Sequence, residues 1–191
     1  MTEKLIVLRV IQHGESDLVI HGLSPLGAKV VYYARGALRS RKRFGGGILE
    51  PTHYIQVSGR PSHRNPDAMM QMQEATLIED FPALRQNYER LSLALHCLQL
   101  VDRMSKEGMV HSEGVFHLLG NVLRTIEVSN NLPLLKLHFE LKLIALQGDL
   151  PFIEGADDLL KASVKEHEKV PVSPELFHGI NSAISQLLHD Y

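Results

Sequence analysis

Five cations crowd nine residues: Arg35, Arg39, Arg41, Lys42 and Arg43 stand with no acid among them, and Phe44 and Gly45-Gly46-Gly47 follow. Side chains of this kind meet phosphates, and arginine does so with a planar fork of donors. Just upstream, period-two alternation puts Lys29, Val31, Tyr33 and Arg35 on one face of a strand and Val30, Tyr32 and Ala34 on the other. A Lys-Tyr-Arg face suits a phosphate track with an aromatic stacking partner. Charge alone leaves a solvated basic loop equally open, and either tyrosine could be ordinary core.

Other chemistry finds less support. The chain carries 11 His, but they are scattered and none forms His-Glu-x-x-His, so they are expected on the polar surface. Gly45-Gly46-Gly47 precedes Ile48-Leu49 rather than Lys-Ser/Thr, which makes it a flexible turn and not a phosphate-binding P-loop. Ser16 beside His13 and Asp17 lacks the Gly-x-Ser-x-Gly of a nucleophile elbow. Glu166-His167-Glu168 reads as a solvated charge run. Cys97 is the lone cysteine, which excludes an intramolecular disulfide and a Cys-rich zinc site, and it falls beside an apolar helix face as an inert thiol. No enzyme activity, cofactor or metal is expected.

The elements that must position the basic run follow from the rest of the chain. With 191 residues and 44% hydrophobic content, the chain can bury a real core, and disorder as its main state is excluded. A net charge of −2 excludes a uniformly basic coat protein but not a local patch. It hides a division: residues 1–80 hold ten basic and eight acidic side chains, residues 81–191 ten and fourteen. Leu5–Ile11 is too short and broken for a signal peptide, no apolar run would span a membrane, and the single Cys suits a reducing cytoplasm.

Up to Phe81-Pro82, short runs punctuated by Gly and Pro predict strands over Leu5–Ile11, Asp17–Leu23, Lys29–Arg35, His53–Val57 and Met69–Ile78. Their number and extent favour a barrel of the oligonucleotide-binding (OB) type. Beyond Pro82 the spacing turns helical. Leu84, Tyr88, Leu91, Leu95 and Leu98 predict the inner face of a helix from Pro82 to Met104. Ser112 is a candidate N-cap for a second helix with Val115, Leu119, Val122 and Ile126 inward. Asn131-x-Pro133 opens a third helix, with Leu134, Leu137, Leu141 and Ile144 inward and Gly148 as its stop. Ala156–His167 is a less periodic helix, and Ser173-Pro174 starts a last one with Leu176, Ile180, Ile184 and Leu187 inward. The expected class is α+β: an OB-fold barrel over residues 1–80 and an all-α domain over residues 81–191.

Leu5-Ile6-Val7-Leu8-Arg9-Val10 followed by Gly14-Glu15-Ser16-Asp17-Leu18-Val19, then Ala34 through Gly46 with its arginines, resembles the N-terminal barrel of the RecO family, bacterial recombination mediators of the RecF pathway. Tyr88-Glu89-Arg90-Leu91, Leu100-Val101-Asp102-Arg103, His138–Leu143 and Leu146-Gln147-Gly148-Asp149-Leu150-Pro151 extend the likeness through residues 4–151. Members commonly place four zinc-binding Cys after that Gly-x-x-Pro stop. Here residues 152–158 hold neither Cys nor His, so a zinc-free, shortened member is expected.

The resemblance implies a non-enzymatic protein of DNA repair that binds and anneals single- and double-stranded DNA, with Lys29, Tyr33, Arg35, Arg39, Arg41, Lys42 and Arg43 at the nucleic acid. It implies RecR as a partner, and capture of the acidic tail of single-stranded DNA-binding protein on the helical domain. Candidates for that capture are Arg103, Arg124 and Lys136 around Leu119 and Leu123, which serve equally as surface charges and core. An adaptor working through protein partners alone is the second reading.

Overall fold

Strand β1 (Thr2–His13) serves two neighbours in turn. Its first half, Thr2–Ile6, pairs antiparallel with β4 (Tyr54–Arg60), and its second, Ile6–His13, with β2 (Asp17–Leu23). A bulge between Val7 and Arg9 lets one strand bend between both partners. β2 pairs with β3 (Lys29–Ala34), β3 runs parallel to β5 (Met70–Glu79), and β5 returns antiparallel to β4. The ring closes in the order β1-β2-β3-β5-β4. A computed structural model describes residues 1–61, 69–105 and 113–189 of the chain.

Alternation decides what fills the ring. Leu5, Val7, Ile20, Tyr32, Ala34, Ile55, Val57, Met72 and Ala75 point inward and are buried. Tyr32 is therefore core, its hydroxyl donating to Glu3, while Tyr33 faces out. Gly59 makes room for that ring: a Cβ there would lie 2.6 Å from Tyr32 Cε1. Between β3 and β4 the short helix α1 (Arg41–Phe44) drives Phe44 into the barrel core, beside Leu49. This is the OB fold, and the class is α+β.

The chain divides into two compact units, the described residues of Met1–Phe81 with Ser105–Phe116, and of Pro82–Met104 with His117–Tyr191. The second unit is built on α2 (Tyr88–Met104), α3 (Glu113–Val128) from His117 onward, α4 (Leu132–Gln147), α5 (Asp157–Lys161) and α6 (Pro174–His189). Ala156–His167 is not one helix: α5 ends at Lys161 and a 3₁₀ turn follows over Val164–Lys169. Helix α4 is the central one. It is buried over most of its length from Leu134 to Ile144, capped by Asn131 Oδ1 on Leu134 N–H at 3.1 Å, and stopped by Gly148 in the left-handed region. The C-terminal end of α3 is closed from α2: Arg90 donates to the carbonyl of Ile126, and to that of Ser129 at 3.1 Å. A cation there also meets the negative end of the helix dipole.

Three expectations need correction or relocation. The inward face of α2 is Leu93, Ala94, Cys97, Leu98, Leu100, Val101 and Met104, while Tyr88 stands 85% exposed. A 3₁₀ turn over Pro82–Gln86 delays the helix to Tyr88, which shifts the phase of the stripe. The histidines are not all surface: His21, His53, His138 and His167 are buried. His167 Nε2 and Ser129 Oγ lie 2.8 Å apart and its Nδ1 is 2.9 Å from Val164 O, so a residue of the supposed solvated run joins the C-terminal segment to the α3–α4 turn. The expected Ser112 cap, with His63 and His111, lies outside the described residues.

His138 is fully buried, and among the described residues neither ring nitrogen makes a hydrogen bond of good geometry. It faces Lys142 on its own helix, His167, and the backbone of Leu159 and Ala162. Burial, and then the Lys142 charge, push its pKa down to about 4. The unfolded chain therefore takes up a proton near pH 6.5 that the fold refuses. The stability this gives is complete above pH 6.5 and is lost as the pH falls toward 4, by about 3 kcal/mol. His138→Leu is expected to flatten that decline, read as a higher urea midpoint than the parent's at pH 5; a parallel decline in both proteins would refute it.

Candidate nucleic-acid interface

The basic run is held at both ends. β3 delivers Arg35 to the surface, and Gly36 turns the chain with φ +64°, a left-handed value that suits glycine. Ser40 then caps α1, its hydroxyl accepting from Arg43 N–H at 3.4 Å and from Arg43 Nε at 3.2 Å. Arg43 folds back, with Nη2 donating to the Arg35 carbonyl at 2.7 Å and the guanidinium 5.0 Å above the Phe44 ring. Phe44 anchors this arrangement in the barrel.

The consequence is a cleft of about 280 Å³ lined by Tyr33, Arg35, Arg43, Arg60, Gln71, Met72 and Gln73. Three guanidiniums from β3, α1 and β4 border one space beside a tyrosine ring. None of the three is in a salt bridge among the described residues. The nearby acid is already engaged: Asp17 accepts the Tyr33 hydroxyl and, at 2.7 Å, the Gly36 N–H. Those two bonds hold its carboxyl below the ordinary carboxylate range, and the same contact raises the Tyr33 phenol. Such a site offers fork-shaped donors for phosphate oxygens and amides and a ring for bases.

Of the residues expected to meet nucleic acid, the structure gathers Tyr33, Arg35 and Arg43 here. Arg39 is paired with Glu15 at 2.9 Å. Arg41 borders a different groove, of about 340 Å³, with Leu18, Leu38 and Phe44. Lys42 is exposed on α1, and Lys29 stands at the far end of β3, opposite Leu23. Sequence reasoning missed Arg60, because the expected strand stopped at Val57. Carrying the alternation of Ile55 and Val57 through the buried Gly59 would have found it.

On the helical unit, Leu119 and Leu123 are fully buried and cannot line an open pocket, which corrects that part of the expectation. Arg103 and Arg124 are exposed on α2 and α3. Lys136 instead borders a groove of about 500 Å³ between α2 and α4, with Tyr88, Leu93, His96, Leu132 and Pro133. Beneath it the buried Glu140 holds Lys136 Nζ at 3.0 Å and His96 Nε2 at 2.6 Å. No group of three His, Cys, Asp or Glu side chains able to hold a metal occurs among the described residues, and no described helix is long and apolar enough to cross a membrane.

Comparison with known proteins bears on both units. The family models described as Recombination protein O N terminal and Recombination protein O C terminal match residues 1–81 and 85–151. The chain belongs to the RecO family. Among its relatives, DNA repair protein RecO of Maridesulfovibrio salexigens is 29% identical over 153 residues, 79% of this chain and 60% of the relative. Those of Anaeromyxobacter sp. (strain K) and Syntrophus aciditrophicus are 30% and 31% identical, covering 78% of this chain and 58% and 56% of their own lengths. The chain thus spans a little over half of the curated RecO proteins it matches. The cleft, α1 and the Arg60 strand all lie within the stretch matched to the N-terminal RecO model; α5 and α6 lie beyond the C-terminal one.

Phe44 tests the anchoring. Phe44→Ala removes a ring that is 3% exposed, and its loss is expected to cost about 3 kcal/mol in urea denaturation. A loss below about 1 kcal/mol would mean that α1 merely rests on the barrel.

Proposed function

We propose that this RecO-family chain is a non-enzymatic DNA-binding protein of recombinational repair, a mediator that holds single strands on its barrel and promotes their annealing. The observation that carries the reading is the convergence of Arg35, Arg43 and Arg60 beside Tyr33. Three fork-shaped donors without a base-specific pattern favour the backbone, and an aromatic ring favours unstacked bases, so the barrel face suits single strands of any sequence. Arg39, Arg41 and Lys42 on the neighbouring segment would extend the path, with Lys29 at its far end. The names of the relatives, all DNA repair proteins, support the same reading.

Binding to protein partners is the second element. The groove sets one cation, Lys136, beside apolar walls, with Glu89 also on its lining, and a cation next to apolar walls is the pairing that an acidic peptide with an apolar end requires. The tail of single-stranded DNA-binding protein has that chemistry. RecR is proposed as a further partner from family membership alone. If the groove binds and the cleft does not, the chain is an adaptor.

The two are separated by titration. Three phosphate contacts on a single strand contribute a slope of roughly −2 to log K against log salt, and all five cations of the run would give about −3.5. Replacing Arg35, Arg43 and Arg60 with Ala is expected to lower the slope magnitude by about 2 and weaken oligo-dT binding more than tenfold at low salt. Unchanged affinity and slope would refute the cleft. Lys136→Gln, which keeps a donor for the buried Glu140, is expected to weaken a labelled acidic, apolar-ended peptide severalfold while oligo-dT binding holds. Peptide binding by a wild-type protein that ignores DNA would establish the adaptor instead.

A further inference from the structure

An acid at the edge of a phosphate-binding cleft should repel its ligand, yet Asp17 stands against the first residues of the basic run. Its bonds explain the placement. One carboxylate oxygen accepts the Tyr33 hydroxyl; the other accepts the Gly36 N–H at 2.7 Å and the Ser16 hydroxyl at 3.4 Å. The same turn reaches further along the run, with Leu38 N–H on the Ser16 carbonyl at 3.0 Å and Arg39 on Glu15 at 2.9 Å. His13 meets the Tyr33 ring edge-on at 5.8 Å. We propose that Asp17 is a positioning residue of the cleft: it fixes the Tyr33 ring and the Gly36 turn so that Arg35 and Arg43 face one strand of nucleic acid.

This role of Asp17 rests on the DNA-binding reading and adds a mechanism to it. Gly36 is the residue of the run with the most backbone freedom, and its left-handed φ is where an outside tie is most needed. The turn is also in contact with the cleft. Arg43 Nη2 donates to the carbonyl of Arg35, the residue before Gly36, at 2.7 Å, so a turn that drifts takes the guanidinium with it. Tyr33 gains similarly, since a phenol held by its oxygen presents a fixed ring for stacking. The hydroxyl and amide donors turned onto the carboxylate partly offset its negative charge.

The test uses Asp17→Asn and Tyr33→Phe in the full chain. Asp17→Asn is expected to speed amide exchange at Gly36 and Leu38 by roughly tenfold, with the thermal midpoint unchanged. It is also expected to weaken oligo-dT binding about threefold to tenfold although it removes a negative charge, with the salt slope kept because the phosphate contacts are the same. Tyr33→Phe should weaken binding too, and the double variant should lose no more than the worse single one. Tighter binding by Asp17→Asn, or losses that add in the double variant, would overturn the proposal. So would unchanged exchange at Gly36, whatever the DNA result. A wild-type protein that binds no single strand, with exchange at Gly36 still accelerated in Asp17→Asn, would remove the DNA-binding reading and leave the clamp standing.

Discussion

The parallel seam between β3 and β5 spans two described residue pairs, Tyr32 with Met70 and Tyr33 with Gln71, and it turns a meander into a ring. Every cleft residue depends on it. Arg35 leaves the end of β3, Arg60 ends β4, Gln71 and Gln73 lie on β5, and only closure puts these three strands side by side. The seam depends in turn on the interior. Tyr32 lies in it, its ring occupies the space left by Gly59, and its hydroxyl ends on Glu3 of β1. A parallel edge is a weaker partnership per residue than the antiparallel ladders around it, so buried packing must secure it.

The basic segment would be a poor binding element if it were only basic. Cations on a free loop must be ordered when the ligand arrives, and that ordering subtracts from affinity. Here Asp17 ties the start of the segment at Gly36, Phe44 ties its end in the core, and Ser40 sets the helical turn between them. The ordering cost is met on folding rather than on binding. The helical unit uses the same device at Arg90, which gathers the last carbonyls of α3.

Much of this is legible in the sequence, because period-two runs and Gly/Pro punctuation are local properties. The strands fall close to their expected places, and the inward faces of α3 and α4 are the ones their spacing predicts. The losses were non-local. Gly59 looked like a turn signal and is a strand residue opposite a buried ring, which hid Arg60. Pro82 looked like a helix start and opens a 3₁₀ turn, which put Tyr88 in the solvent. His138 and His167 looked polar and are buried, because the segment after Pro151 packs on α4 and contributes the Val164 and Leu159 backbone around them.

The charge arithmetic shows why a count of cations is not a count of contacts. Five positive residues within nine suggest one continuous track, but the turn at Gly36 and a short helix send their side chains in different directions. Arg39 is spent on Glu15, Arg41 faces another groove, and Arg43 comes back over Phe44 to join Arg35. The cation that completes the cleft comes from a strand 25 positions past Arg35, beyond the glycine loop. The placement of the cations at this face is therefore set by barrel closure and by the two tethers of the segment, not by net charge, which for the whole chain is −2.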